Sequence, residues 1–297
     1  MNPRWIPCVG WMLTLELCLV WALGSYPLWL VPAYHATLPI AELRPVAALG
    51  GLACAACLLA MSARRASLVA WRGPWQFVAC WVNFPLFQSI SHYWVRTPAD
   101  SALMQIDRLL WGGRSLPQYF VGIGNAAVSD GVSAAYLFFY PMVLLPVIGF
   151  SCRRVTVEAR RFFFGLSFVY LLGLAGYMLV PAAGPFLAFP ELFTSPLPAG
   201  PVTRLLGGLV ARGATGMDVF PSLHVAVALF VTGFLWFEGR RCRAYRGAAW
   251  LLLPVLVGIG VATVYLRYHY GVDVLAGLLL GGSAVALVQT MHPEDSG

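Results

Sequence analysis

The sequence predicts an all-α, polytopic membrane protein of about eight transmembrane helices, and three observations carry that prediction. Of 297 residues, 60% are hydrophobic and only 10% are charged, against roughly 25% charged in soluble domains. Mean hydropathy is +0.76. The apolar residues gather into runs long enough to cross a hydrocarbon layer of about 30 Å, and arginines cluster between the runs.

Val9–Val31 is the first run, too long for a signal-peptide core and without a cleavage site, so it reads as a retained anchor. Glu16 inside it is costly in lipid and should face other helices. Pro45–Met61 follows and ends at Arg64, Arg65 and Arg72. Trp75–Val95 is more polar; its Gln88 and His92 either line a cavity or serve as an interhelical bond and an interfacial residue. Residues 96–130 form a loop in which Leu109, Leu110 and Trp111 lie among charges, suggesting a short helix on the membrane surface. Gly131–Phe150 and Phe162–Pro181 span next, the latter leading into a loop rich in proline and glycine. Pro221–Phe237, Ala248–Leu266 and Gly271–Gln289 complete the eight. The chain thus divides into N-terminal helices (1–95), a catalytic core (96–290) and a short tail (291–297).

Charge sets the orientation. The net charge of +7 comes with nineteen basic residues, all arginine, dispersed between apolar runs with no basic domain, which excludes a nucleic-acid partner. The absence of lysine excludes Schiff-base chemistry and a lysine phosphate clamp. With the N-terminus inside, Arg4, Arg64, Arg65, Arg72, Arg153, Arg154, Arg160, Arg161, Arg240, Arg241, Arg243 and Arg246 all fall on the cytoplasmic side, as the positive-inside rule requires. This reading gives a multi-pass protein of a plasma membrane of bacterial type. Cys54 and Cys57 have redox or metal spacing, but their small neighbours inside a span mark a helix-packing face.

Two stretches then open on the extracytoplasmic face: Gly216-Met-Asp-Val-Phe-Pro-Ser-Leu-His224 and Tyr265-Leu-Arg-Tyr-His-Tyr-Gly-Val-Asp273. His269 and Asp273 are four apart, so on a helix starting here the carboxylate holds one imidazole nitrogen and leaves the other to attack. Pro221 suits a first helical turn, with Asp218 or Val219 at the cap, and the amides of Ser222, Leu223 and His224 are then donors for an anion. Asp218 reads either as that cap or as an acid in the chemistry. A nucleophilic histidine, its carboxylate, a second histidine and an anion cradle are the parts needed for phosphoryl transfer through a phosphohistidine. His35, His92 and His292 read as packed or interfacial. Ligand spacings for zinc or magnesium are absent, so neither metal nor cofactor is expected.

Phe220-Pro-Ser-Leu-His224 and His269-Tyr-Gly-Val-Asp273 resemble the second and third signature motifs of the type 2 phosphatidic-acid phosphatase superfamily, over roughly residues 107–290. The resemblance implies a six-helix core in which His269 is the nucleophile, Asp273 its orienting partner, His224 the acid for the leaving oxygen and Ser222 a phosphate ligand. The superfamily's first motif falls on Tyr177 to Pro185, with Tyr177 and Gly184 in its two cationic positions, and the third-motif arginine falls on Thr263. That pattern is similar to the inositol-phosphorylceramide synthase and sphingomyelin synthase branch, which moves a phospho-head-group between lipids.

The expected partners are therefore a lipid phosphate, a possible acceptor lipid and the membrane. Arg267, two residues before His269, is either an interfacial anchor or the missing phosphate cation, with Arg204 and Arg212 as further candidates. Three functions stay open at this point: a lipid head-group phosphotransferase, a lipid-phosphate phosphatase, and a transporter or scaffold on the same fold. Intact His224, His269 and Asp273 argue against the last.

Overall fold

A computed structural model describes residues 6–34, 37–213 and 215–291. Arg4, His35 and His292 lie outside them, as does the tail beyond Met291. The described residues form helices and no strand: α1 (Ile6–Leu30), α2 (Ile40–Ser62), α3 (Ala66–Val69), α4 (Arg72–Asn83), α5 (Phe87–Trp94), α6 (Asp100–Leu110), α7 (Ala126–Leu137), α8 (Phe139–Cys152), α9 (Val157–Leu179), α10 (Pro185–Ala188), α11 (Pro201–Gly213), α12 (Leu223–Glu238), α13 (Arg243–Tyr265) and α14 (Gly271–Gln289).

Six stretches among them are long and apolar enough to cross a membrane: Pro7–Leu30, Ile40–Ser62, Ala126–Cys152, Val157–Leu179, Arg243–Tyr265 and Gly271–Gln289. The protein is thus a multi-pass helical membrane protein. The expected count of eight is not confirmed at two places. Leu223–Glu238 is apolar but has only 16 residues, about 24 Å at 1.5 Å per residue. The run Trp75–Val95 is broken at Phe84–Leu86, where a 3-10 turn with Pro85 inside separates α4 from α5, because proline cannot supply the amide an α-helix needs there. His92 on α5 is exposed.

The chain sorts into two compact units. Of the described residues, the first comprises 6–34, 37–95, 146–175 and 283–291; the second comprises 96–145, 176–213 and 215–282. In the first unit, Gln76 and Asn83 find partners on neighbouring helices, the kind of interhelical bond that lipid favours. Gln76 donates to the Gly10 carbonyl at 2.7 Å and accepts from the Ser167 hydroxyl at 3.1 Å. Cys54 and Cys57 are buried and free, and Asn83 donates to the Cys54 sulfur at 3.5 Å.

In the second unit, α12 and α13 form an antiparallel hairpin whose far end carries Arg240, Arg241, Arg243 and Arg246. α14 lies against α12 through two glycines one turn apart. A Cβ on Gly277 would stand 2.5 Å from the Ser222 carbonyl oxygen, and one on Gly281 would stand 2.4 Å from that of Ala226. Only a hydrogen in place of a side chain lets the two backbones approach so closely. A short helix does form there, α6, which carries Leu109 and Leu110 and ends with Trp111 as its C-cap. Asp100, Leu103, Met104 and Asp107 are buried, while Leu109 is 84% exposed. Leu103 and Met104 pack with Ala182, Val219 and Tyr270, so one helix face touches all three loops that build the site.

Candidate active site

His269 is placed by the way α13 ends. The amide of Tyr268 bonds the Thr263 carbonyl at 3.0 Å and that of Arg267 bonds the Val264 carbonyl at 2.9 Å. This is the Schellman pattern, which requires a left-handed residue just past the cap. Arg267 takes that conformation with φ 67°, where glycine is usual and another residue costs about 1–2 kcal/mol. The His269 amide also bonds the Thr263 carbonyl, at 3.0 Å, so the imidazole is held at the mouth of a closed turn.

His269 therefore precedes α14 instead of riding on it, which corrects the expectation that the pair shares a helix face. The pair forms because Asp273 reaches backward. Its Oδ2 accepts from the Tyr270 amide at 2.8 Å, the return contact of a capping box. The same Oδ2 lies 3.5 Å from His269 Nδ1, longer than the roughly 2.7–2.9 Å of a charge-assisted hydrogen bond. Asp273 is fully buried and His269 is 4% exposed.

The second motif starts its helix later than expected. α12 opens at Leu223 with Ser222 as its cap, and Pro221 stands before the cap on a cis bond to Phe220. The Ser222 amide is spent on the Asp273 carbonyl at 3.1 Å, so the first-turn donors are Leu223, His224 and Val225. The Ser222 hydroxyl is buried and has no hydrogen-bond partner. His224 lies between Tyr136 and Phe139, with ring centroids 4.6 and 4.5 Å away, and 6.3 Å from the His269 ring.

Asp218 is not the cap. Although its surface is partly accessible, it is deeply surrounded by protein; burial raises its carboxyl above the ordinary value, against an opposing pull from Thr215 first and from His269 to a lesser extent. Tyr268, whose ring centroid is 5.5 Å from that of Tyr136, has its phenol pushed up to about 12 by burial.

The three positions where the resemblance places cations are neutral and enclosed. Tyr177 is 2% exposed, Thr263 is fully buried with its hydroxyl on the Gly260 carbonyl, and Gly184 turns the chain at φ 88°. Arg267 is 4% exposed. Its Nη2 donates to the Ser195 carbonyl at 2.9 Å, and the guanidinium lies 4.9 Å over the Phe193 ring. Arg204 and Arg212 are exposed on α11. Among the described residues, no group of three histidine, cysteine, aspartate or glutamate side chains is arranged to hold a metal.

Sequence reasoning missed the aromatic walls Tyr136, Phe139 and Tyr268 and the two acids of α6. Asp100 accepts from the amides of Ala183 and Gly184 and from the Tyr270 hydroxyl, each at 2.9 Å. Asp107 accepts from Trp111 Nε1 at 3.0 Å and from the amides of Leu116 and Val272 at 2.8 Å. Their spacing of seven residues, with Leu103 and Met104 between them on the same face, was the available signal.

These features define a polytopic helical membrane protein in which two histidines and a carboxylate meet at one end of three consecutive helices. The chain belongs to the PAP2 superfamily, whose profile matches residues 101–287. It is also similar to the phosphoinositol dihydroceramide synthase of Bacteroides thetaiotaomicron, being 27% identical over 223 residues that cover 66% of this chain and 71% of that protein. No solved structure matches.

Proposed function

We propose that this protein is a lipid head-group phosphotransferase that works through a phosphohistidine at the extracytoplasmic face of a bacterial plasma membrane. His269 Nε2 attacks the phosphorus of a donor phospholipid, with Asp273 holding Nδ1. The bond from phosphorus to the lipid alcohol breaks, and His224 gives its proton to the departing oxygen. The head group stays on the phosphorus, now joined to His269. A hydroxyl of an acceptor lipid then gives its proton to His224 and attacks the phosphorus, releasing His269 and forming a new phosphodiester. Ser222, the Leu223 amide, Tyr177 and Arg267 hold the phosphoryl oxygens.

The observation that carries this reading is the neutrality of the three cation positions, Tyr177, Gly184 and Thr263. A phosphate monoester brings up to two negative charges into a water-poor site and needs fixed cations to compensate them. A phosphodiester brings one, which Arg267 and hydrogen-bond donors suffice to meet. The similarity to a synthase named for phosphoinositol and dihydroceramide supports an inositol-phosphate type of head group and a sphingoid acceptor. The arginine-rich far end of the α12–α13 hairpin supports the extracytoplasmic placement.

The test is reconstitution in liposomes with a phosphatidylinositol donor and a ceramide acceptor, beside a phosphatidic acid control. Transfer of the phospho-head-group to the acceptor is expected; release of inorganic phosphate from phosphatidic acid as the main activity would establish the phosphatase instead. Cysteines at Gly207 and Gly247, where added side chains meet open space, should react with an impermeant reagent from opposite sides of the membrane. Labelling of both from one side would overturn the orientation.

A further inference from the structure

We propose that Asp100 and Asp107 are positioning residues for the transfer reaction: from one face of α6 they set the His269 and Asp273 pair against the Ala183–Gly184 loop. The inference rests on the reading of His269 as nucleophile.

The alternation of contacts is the basis. In the five-residue segment from His269 to Asp273, the two intervening residues with side chains are Tyr270 and Val272. Asp100 holds the Tyr270 hydroxyl and Asp107 holds the Val272 amide, so each neighbour of the pair is tied to the same helix. Asp100 also takes the amides of Ala183 and Gly184, and the Ala99 amide bonds the Pro181 carbonyl at 2.7 Å. That loop is the one on which the first motif of the resemblance falls, and it passes so near the turn that a Cβ on Gly184 would stand 2.4 Å from the Tyr268 carbonyl oxygen.

Both carboxylates are at least 95% buried, a costly state for a surface helix unless every oxygen is engaged. Here both oxygens of each accept hydrogen bonds, and the groups they hold flank the reacting residues. Apolar packing alone, as Leu103 and Met104 supply, leaves the segment free to slide; carboxylates fix its register by direction. The His269 and Asp273 contact is already at 3.5 Å, so small displacement of the segment takes the carboxylate out of reach. Misplacement by about 1 Å lowers rates on the order of a hundredfold.

Asp107→Asn and Tyr270→Phe test this. Asparagine turns an amide donor toward the Leu116 or Val272 amide, while phenylalanine keeps the buried ring and removes only the hydroxyl that Asp100 accepts. In proteoliposomes, with kinetics per folded molecule, Asp107→Asn is expected to lower kcat roughly ten- to a hundredfold with KM within about threefold. The rate of phosphohistidine formation should fall in parallel. Tyr270→Phe is expected to lower kcat by about three- to tenfold. A kcat within twofold of the parent in both variants, with only the melting temperature reduced, would overturn the proposal. If Asp107→Asn does not fold, Tyr270→Phe alone decides, since it leaves a well-packed core. His269→Ala is the control, because turnover surviving in it contradicts the nucleophile and leaves the positioning question behind.

Discussion

The backbone amide of Ser222 donates to the carbonyl of Asp273 at 3.1 Å, joining the start of α12 directly to the first turn of α14. Two motifs far apart in sequence are thereby locked at the level of the main chain, and the side chains of His224, His269 and Asp273 inherit their relative placement from that bond. The glycines of α14 make it possible.

Gly277→Ala is expected to lower both stability and turnover, because its Cβ meets the Ser222 carbonyl, a backbone atom that cannot swing away. Overpacking of this kind typically costs about 1–3 kcal/mol. Gly282→Ala is the matched comparison, its nearest neighbour being Leu229 Cδ2 at 4.0 Å. Thermal unfolding in detergent should separate the two; equal melting temperatures would show that the close approach is not needed.

Much of this was legible in the sequence, and the exceptions have physical reasons. Hydropathy identifies spans because lipid leaves the backbone no other structure, so the helical membrane class and most segments follow from composition. Pro85 and the short α12 are where the count of eight goes unconfirmed, since an interrupted helix and one of 16 residues fall short of the length that marks a span. The two histidines and Asp273 were found from their motifs, but the reason for their meeting was not. Asp273 caps a helix that begins after His269, a distinction of two residues to which spacing is blind. Asp100 and Asp107 were missed because charged residues on a short helix ordinarily face water. Arg267 was singled out for its charge, whereas its left-handed backbone, where glycine is usual, shows only in three dimensions.

Arg267 offers a test that separates backbone from side chain. Arg267→Gly relieves the left-handed strain, while Arg267→Ala keeps it, so the glycine variant should fold at least as well. Both lose the guanidinium from Ser195 and Phe193. If the guanidinium also meets the transferring phosphoryl group, turnover per folded molecule should fall in both by about a hundred- to a thousandfold. Turnover within threefold of the parent would leave Arg267 a staple of the 193–195 loop and nothing more.

Asp218 predicts a pH dependence of stability. Its folded pKa is raised from an ordinary 3.8 by burial, so the folded state keeps a proton that the unfolded chain gives up. Below about pH 3.8 both states are protonated; as pH rises through the interval up to the folded value, the unfolded state is favoured and stability is lost. Asp218→Asn removes this term. Melting temperatures from about pH 4 to about pH 8 should show the asparagine variant gaining on the parent as pH rises. A constant difference would place the carboxyl in an ordinary, solvated setting.

The central claim is a covalent intermediate on His269, and trapping it is the most direct test. Reconstituted protein mixed with a donor carrying a good leaving group and no acceptor, quenched under alkaline conditions and digested, should yield one peptide bearing the phospho-head-group on His269. His224→Ala should still form it, since an activated alcohol departs without a proton. His269→Ala should not form it. Modification at any other residue, or turnover in His269→Ala at the parental rate, would contradict the account.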